Sequence, residues 1–229
     1  MRYLVVAAHP DDEVMGCGGT IARLTRKGHE VFVALLGEGI TSRFASREEA
    51  DKELLQELHQ DSVEVARMLG VAEVFHFNYP DNRFDSVPLL DIVKDLEHVI
   101  QETQPTVLFT QHGGDLNVDH SITFRATVTA SRPLEDCPVR EVYSYEVPSS
   151  TEWAFGQFQP RFRPSVFAEI TDTLDIKIRA MEHYEGEIRR FPHPRSAEAM
   201  AAQARYRGGS IGVLAAEAFE PFRVLMDLA

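Results

Sequence analysis

Short apolar runs alternate with longer amphipathic stretches through the first half of the chain. The runs are rich in β-branched and aromatic residues and too short for helices, which favours strands buried on both faces. They cover residues 3–7, 31–36, 74–77 and 106–110. The stretches between them carry apolar residues at helical spacing, which predicts helices. These helices cover residues 20–27, 53–69, 89–101 and 120–131.

The alternation of strand and helix is typical of βαβ units with right-handed crossovers. Farther along, the pattern predicts strands over residues 139–147 and 165–170, and two helices that end at residues 185 and 207. Asp172 is expected to cap the first of these helices. No repeat or linker divides the sequence. We therefore expect an α/β fold: a Rossmann-like, mostly parallel sheet flanked by helices, with a small C-terminal β/α extension, in one domain over residues 1–229.

Composition and charge limit the classes of binding partner that we expect. The 229 residues carry a net charge of −13, with 44% hydrophobic and 26% charged residues. Nucleic acid and anionic membranes both require clustered lysine and arginine, so neither is an expected partner. No apolar run approaches the ~20 residues that span a bilayer. Cys17 and Cys137 form neither a metal-knuckle spacing nor a disulfide framework. We expect a soluble cytoplasmic protein with no secretory leader and no integral membrane segment.

Two clusters of polar residues follow the first and fourth predicted strands. They comprise His9, Asp11, Asp12 and Glu13, and then His112, Asp115, Asn117, Asp119 and His120. In a doubly wound sheet of strand order 3-2-1-4, strands one and four are neighbours where the order reverses, and ligands bind beyond their carboxyl ends. The two clusters are therefore predicted to face each other across one crevice.

The chemistry of these clusters favours a bound cation. Crowded carboxylates and histidines repel one another unless something compensates their charge. Two histidines and one carboxylate would form a three-ligand site with open positions, as in catalytic zinc centres. Ferrous oxygenases use the same ligand set, so the ligands alone leave zinc and iron open. The glycines of residues 16–19 lack the spacing of a dinucleotide-binding fingerprint, and we expect them to permit close helix–strand packing.

Several stretches of this sequence resemble motifs of one enzyme family. Residues 8–13 read Ala-His-Pro-Asp-Asp-Glu and are followed at residues 16–22 by Gly-Cys-Gly-Gly-Thr-Ile-Ala. Residues 115–120 read Asp-Leu-Asn-Val-Asp-His. Together with residues 193–196, 206–208 and 216–219, they resemble the LmbE-like (PIG-L) zinc-dependent de-N-acetylases. The resemblance extends over nearly the whole chain.

The resemblance implies a function and a set of roles. His9, Asp12 and His120 would bind one Zn²⁺ ion per chain, and Asp11 would be the general base that deprotonates water. The implied reaction is hydrolysis of the N-acetyl group of an amino sugar, such as an N-acetylglucosamine-type glycan, nucleotide sugar or glycoconjugate. Related proteins are often homo-oligomers, so we expect the same here.

One position departs from the pattern of many family members. They carry a second histidine three residues before the last ligand, and this chain has Asn117 there. An asparagine can donate a hydrogen bond but cannot shuttle a proton. The proton for the leaving amine would then come back from Asp11, or from His112 or His193. The alternative is a catalytically impaired family member that binds metal and sugar.

Further residues are candidates for contacts around the metal. Asp119 precedes a ligand in sequence, so we expect it to orient a ligand through a hydrogen bond without binding the metal itself. Arginine suits sugar hydroxyls or phosphate because its guanidinium is a planar fork. The predicted substrate contacts are Arg43, Asp81, Asn117 and His193. Trp153 and Phe155 are candidates for stacking on a sugar ring. Arg195 lies either at the lip of the site or at the start of the following helix, and Glu13 has no assigned role.

Overall fold

Seven strands form one sheet in this computed structural model, which describes residues 1–226. The strands are β1 Arg2–Ala7, β2 Glu30–Gly37, β3 Glu73–Tyr79, β4 Val107–Gln111, β5 Glu141–Tyr145, β6 Val166–Glu169 and β7 Ala216–Val224. The helices are α1 Asp12–Arg26, α2 Lys52–Leu69, α3 Leu89–Thr103, α4 Val118–Ala130, α5 Leu174–His183 and α6 Ala197–Gly209. The predicted α/β class is confirmed.

The strand order places the carboxyl ends of β1 and β4 side by side. The sheet runs β3-β2-β1-β4-β5-β7-β6. β1 pairs in parallel with both β2 and β4, and β3 and β5 continue the parallel sheet on either side. Because β2 and β4 lie on opposite sides of β1, the order reverses there and a crevice opens between the loops that leave β1 and β4. The predicted order 3-2-1-4 is confirmed.

Helices cover both faces of the parallel strands. Val5 and Ala7 of β1 lie in one hydrophobic cluster, which includes residues of α1, α2, α5 and α6. Leu4 and Val6, which point to the other face, lie in a second cluster with residues of α3 and α4. All four of these side chains are at most 1% exposed. Burial on both faces explains why β1 is a continuous apolar run rather than an alternating one.

Helix α1 begins earlier than the sequence pattern predicts. It starts at Asp12 and includes the whole glycine run, whereas a helix over residues 20–27 was expected. Glycine has low helix propensity, so the sequence pattern places the run before the helix, but tertiary contacts hold it in helical form. A Cβ atom on Gly16 would collide with the ring of Tyr145 on β5. The expectation that the glycines permit close packing is therefore confirmed.

A buried ion pair contacts the middle of α1. Glu217 of β7 accepts the backbone N–H groups of Gly19 and Thr20, at 2.9 and 2.7 Å. The ammonium group of Lys177, on α5, donates to Glu217 at 2.6 Å and to the carbonyl of Met15 at 2.7 Å. Both charged side chains are at most 6% exposed. The pair thus joins α1, α5 and β7 through backbone groups in the middle of a helix.

The C-terminal extension joins the main sheet. β7 is inserted between β5 and β6 and is antiparallel to both. This strand was not predicted. The predicted cap at Asp172 was wrong, because α5 begins at Leu174 after a short 3-10 turn, and Thr173 occupies the cap position. Helix α6 begins after Ser196, whose hydroxyl accepts the backbone N–H of Ala199. Within residues 1–226, no helix combines the length and the apolar character needed to cross a membrane.

Candidate metal centre and active site

The candidate metal centre lies at the carboxyl ends of β1 and β4. His9 follows β1, Asp12 is the first residue of α1, and His120 lies in the first turn of α4. Their ligand atoms all lie within 4.8 Å of one another. Oδ2 of Asp12 lies 3.3 Å from Nδ1 of His9 and 3.3 Å from Nε2 of His120. The fold thus brings together the three residues expected to be ligands.

A second carboxylate contacts each candidate histidine. Nε2 of His9 lies 3.0 Å from Oδ2 of Asp119. Nδ1 of His120 lies 3.2 Å from Oδ2 of Asp115. Each ring therefore directs one nitrogen to Asp12 and the other to a further carboxylate. Metal-binding histidines commonly have such a partner, which fixes the tautomer and the orientation of the ring.

A neighbouring donor group is less suited to a metal ion. His9, Asp81 and Asp119 also lie within reach of one another. Both carboxylate oxygens of Asp119 already accept backbone N–H groups, at 2.6 and 2.9 Å. One oxygen of Asp81 accepts the backbone N–H and the hydroxyl of Ser42, at 3.0 and 2.6 Å. By contrast, no hydrogen bond within residues 1–226 reaches Oδ1 of Asp12, which favours the group containing His120.

Buried negative charge gives the two candidate histidines a high affinity for protons. Four buried carboxylates contact them: Asp12, Asp81, Asp115 and Asp119. Burial opposes the charged form of His9, but hydrogen bonds to Asp119 and Asp12 raise its pKa well above the usual value. Burial likewise opposes protonation of His120, yet the charges of Asp12 and Asp115 raise its pKa to about 9. The same charges attract a divalent cation, so the donor set fits a metal ion.

A polar cavity of about 310 Å³ adjoins the metal centre. Its lining includes all of the predicted substrate contacts and the predicted base: Arg43, Asp81, Asn117, His193 and Asp11. Trp153 also lines the cavity, and its ring meets that of His193 edge-on with centroids 5.5 Å apart. Phe155 lies outside the lining and is 77% exposed. The structure therefore brings the predicted substrate contacts, the predicted base and Trp153 to one cavity, but not Phe155.

Asp11 occupies a strained backbone position at the start of α1. Its φ is +112°, a value that residues other than glycine rarely adopt. The backbone N–H of Asp11 donates to Oε2 of Glu13 at 3.0 Å, and Tyr184 donates its hydroxyl to Oε1 of Glu13 at 2.7 Å. Glu13 thus supports the backbone of the candidate base. Burial raises the pKa of Glu13 to about 7, although the Tyr184 hydroxyl favours its charged form.

The carboxylate of Asp11 contacts an arginine from the C-terminal half of the chain. Nη1 of Arg195 lies 3.1 Å from Oδ2 of Asp11 and 3.1 Å from Oε2 of Glu187. Glu187 also accepts two hydrogen bonds from Arg43, at 2.5 and 2.6 Å. Burial raises the pKa of Asp11 well above its usual value, despite the opposing charge of Arg195. A carboxyl group with a raised pKa is better suited than an ordinary one to accepting and returning a proton.

The amide of Asn117 has structural partners. Its oxygen accepts the backbone N–H of Asp119 at 2.8 Å and so caps α4, and its nitrogen donates to Asn82 at 3.1 Å. His112 lies outside the cavity lining, with Nε2 2.8 Å from the carbonyl of Pro160. The candidate proton donors that line the cavity are therefore Asp11 and His193.

Comparison with known proteins places this fold and site in a family. A sequence profile of the PIG-L family, described as GlcNAc-PI de-N-acetylase, matches residues 4–131. The chain belongs to the PIG-L family. A probable N-acetyl-α-D-glucosaminyl L-malate deacetylase 2 from Bacillus cereus is 33% identical over 79% of this chain and 80% of the relative. Deacetylases hydrolyse a carbon–nitrogen bond, so the predicted enzyme class of amidohydrolase is confirmed.

Solved structures share the fold over its full extent. The conserved protein TT1542 from Thermus thermophilus has a TM-score of 0.76 and 27% identity, covering 99% of this chain and 97% of that protein. A 4-carboxy-2-hydroxymuconate hydratase from Pseudomonas putida has a TM-score of 0.75 and 23% identity, covering 100% and 99%. Because that hydratase shares the architecture, the fold alone does not determine the reaction of this PIG-L protein, and the site residues must do so.

Part of the PIG-L site could not be found by reading the sequence. Glu187 was missed because it lies in a loop after α5, without any motif or spacing that marks it. Ser149 was missed because it lies in the irregular segment after β5, again without a motif that marks it. Its hydroxyl lies 2.8 Å from Nε of Arg195. Asp115 was recognised as part of a polar cluster, but its contact with His120 depends on the turn into α4. Glu187 and Ser149 reach the cavity through tertiary contacts alone.

Metal affinity of this PIG-L site is expected to rise with pH. Each imidazole must lose its proton before its nitrogen can bind a metal ion. The pKa of His9 is raised well above its usual value and that of His120 is about 9, so both rings hold protons at pH 6.5, and the His120 ring loses its proton as the pH approaches 9. The apparent affinity for Zn²⁺, measured by chelator competition, should increase from pH 6.5 to 8.5 with release of protons. An affinity that is constant over this range would contradict the ligand assignment.

Proposed function

We propose that the protein is a metal-dependent deacetylase that removes the N-acetyl group of an amino sugar by hydrolysis. The observation that carries the proposal is the arrangement of the cavity. His9, Asp12 and His120 converge beside it, and the buried carboxylate of Asp11 lines it. Hydrolysis of an amide needs an electrophilic carbonyl, a deprotonated water and a proton for the leaving amine. The residues of this cavity offer a group for each need.

His9, Asp12 and His120 would hold one Zn²⁺ ion per chain. A divalent cation bound there would polarise the acetyl carbonyl and lower the pKa of a water molecule. Asp119 and Asp115 would keep the two imidazoles oriented through their other ring nitrogens. The imidazole and carboxylate donors suit zinc, and the experiment below compares it with ferrous iron.

Asp11 would be the general base. It accepts a proton from water while the water oxygen attacks the acetyl carbon. The carbon–nitrogen bond then breaks, and the amine nitrogen takes up a proton as acetate leaves. Asp11 can return the proton that it accepted, since burial keeps its pKa raised. His193, which lines the same cavity, is the second candidate donor for this proton.

The rest of the cavity would bind the sugar. A volume of about 310 Å³ is at the lower end of the range typical of small-molecule sites. Trp153 offers an aromatic surface, while Arg43, Asp81 and Asn117 offer polar groups for hydroxyls. The name of the Bacillus cereus relative refers to N-acetylglucosaminyl malate, so this conjugate is a suitable first substrate.

Metal-dependent release of acetate tests the proposal. We expect the zinc-loaded protein to release acetate from N-acetylglucosamine, N-acetylglucosaminyl malate or diacetylchitobiose. Treatment with a chelator should abolish release, and Zn²⁺ should restore it more effectively than Fe²⁺ under anaerobic conditions. If the protein binds one zinc ion and these sugars yet releases no acetate, it is the catalytically impaired family member that Asn117 suggests. A cytoplasmic location and a homo-oligomeric state stay predictions, as does a single domain over residues 1–229.

A further inference from the structure

We infer that Arg195 is a positioning residue that holds the carboxylate of Asp11 in its catalytic orientation. The inference rests on the proposed function, in which Asp11 is the general base. It also gives a role to a residue beyond the part of the chain that the family profile matches, since that match ends at residue 131.

Arg195 is the anchor of the Asp11 side chain. The backbone of Asp11 is fixed by Glu13, which accepts its N–H, and by Val14 and Met15, which donate to its carbonyl at 3.1 and 2.9 Å. A different contact holds its carboxylate. Within residues 1–226, the only hydrogen bond to this carboxylate comes from Nη1 of Arg195, at 3.1 Å. The rotamer of the candidate base therefore depends on one guanidinium group.

Arg195 is itself held from two further directions. Its Nε donates to the hydroxyl of Ser149 at 2.8 Å, and its Nη1 lies 3.1 Å from Oε2 of Glu187. Its backbone N–H donates to Nδ1 of His193 at 3.1 Å. The planar guanidinium can contact Asp11, Ser149 and Glu187 together because its N–H groups have fixed directions. The fork is thus oriented before any substrate enters the cavity.

Charges in this group are balanced. Glu187 lies between two arginines, because Arg43 donates to both of its carboxylate oxygens. Two carboxylates, those of Asp11 and Glu187, face two guanidinium groups, and both acidic side chains are at most 5% exposed. Glu187 can therefore hold Arg195 without leaving a net charge in the network. Removal of the Arg195 side chain would leave Asp11 and Glu187 without this shared partner.

This arrangement predicts a selective loss in the rate of the chemical step. In Arg195→Ala, we expect kcat for acetate release to fall about 10–100-fold, as for other residues that orient a catalytic group. KM should change little, because the lost interaction orients the base rather than the sugar. Bound zinc should stay at one per chain, since none of the three candidate ligands contacts Arg195. Guanidinium ion added at millimolar concentration should restore part of kcat.

Arg207→Ala is the matched control. Arg207 makes two hydrogen bonds to Glu146, at 2.8 and 2.7 Å, and its side chain is 22% exposed, compared with 25% for Arg195. It does not line the cavity. This variant also loses a partly buried arginine–carboxylate pair, but we expect it to keep kcat. Guanidinium ion should have no activating effect on it.

The outcomes separate the inference from the proposed function. An Arg195→Ala variant with the kcat of the unmodified protein, alongside an inactive Asp11→Asn variant, would overturn the inference alone. If Arg195→Ala does not fold, Arg195→Lys tests the inference instead. Full kcat in Arg195→Lys overturns the inference, and a reduced kcat with unchanged KM supports it. If the unmodified protein releases no acetate, the proposed function fails. A crystal structure of Arg195→Ala or Arg195→Lys then decides the positioning role, which an unmoved Asp11 carboxylate would overturn.

Discussion

Asp11→Asn should lower kcat for acetate release by about 10²–10⁴-fold, the range for loss of a general acid–base group. Asparagine has nearly the same size and can still accept a hydrogen bond from Arg195, but it cannot take up a proton. His9, Asp12 and His120 are untouched, so zinc binding should persist. Acetate release and zinc content measured on the same preparation would therefore separate loss of the base from loss of the metal.

Asp91→Asn is the control for this substitution. Asp91 is also an acidic residue at the start of a helix, in the first turn of α3, but it is exposed and lies outside the cavity. Its replacement should leave kcat unchanged. If Asp11→Asn retained more than about a tenth of the normal kcat while binding zinc, the role of general base would have to pass to another residue.

Glu217→Gln is expected to lower the free energy of unfolding by about 3–5 kcal/mol, because it leaves the ammonium group of Lys177 buried without its counter-charge. For a chain of this size, such a loss lowers Tm by about 6–20 °C. Glutamine can still accept one backbone N–H of α1, so the main loss should come from the unpaired charge. Calorimetry or thermal unfolding followed by circular dichroism measures the effect.

Two further variants locate the source of that loss. Glu169→Gln removes an acid from the neighbouring strand β6, whose pair with Arg23 is 3.6 Å long and partly exposed, and it should cost about 0–1 kcal/mol. Combining Glu217→Gln with Lys177→Met should recover part of the stability, because no unpaired ammonium group is left. A Tm for Glu217→Gln close to that of Glu169→Gln would contradict this account of the buried pair.

The parallel half of the fold could be predicted because its signals are local. The run at residues 3–7 is apolar at every position, and a strand buried on both faces requires this. β7 escaped prediction because Pro221 lies within it, and proline normally argues against a strand interior. The pairing with β5 shifts register where Tyr143 faces Pro221 and Val142 faces Arg223, and such an irregularity accommodates the proline.

The candidate site also has a part that sequence patterns predict and a part that they do not. His9 and Asp12 are close in sequence, and the strand order brings His120 to them, so the ligand group followed from motif and topology. The contacts of Arg195 with Asp11 and Glu187 depend on how the loop after α5 packs against the start of α1. No periodicity encodes such a contact between irregular segments. Sequence patterns therefore indicated the candidate ligands but not the contacts that hold the candidate base.

The late position of these partners affects synthesis of the chain. Three residues from the C-terminal part of the chain contact α1. Tyr184 donates a hydrogen bond to Glu13, Arg195 pairs with Asp11, and Glu217 accepts a backbone N–H in the middle of the helix. About 200 residues separate Asp11 from Glu217, which at a translation rate of 5–20 residues per second corresponds to about 10–40 s. Through that interval the acidic N-terminal segment lacks the residues that later bury it. The complete set of contacts around α1 can therefore form only after Glu217 has been synthesised.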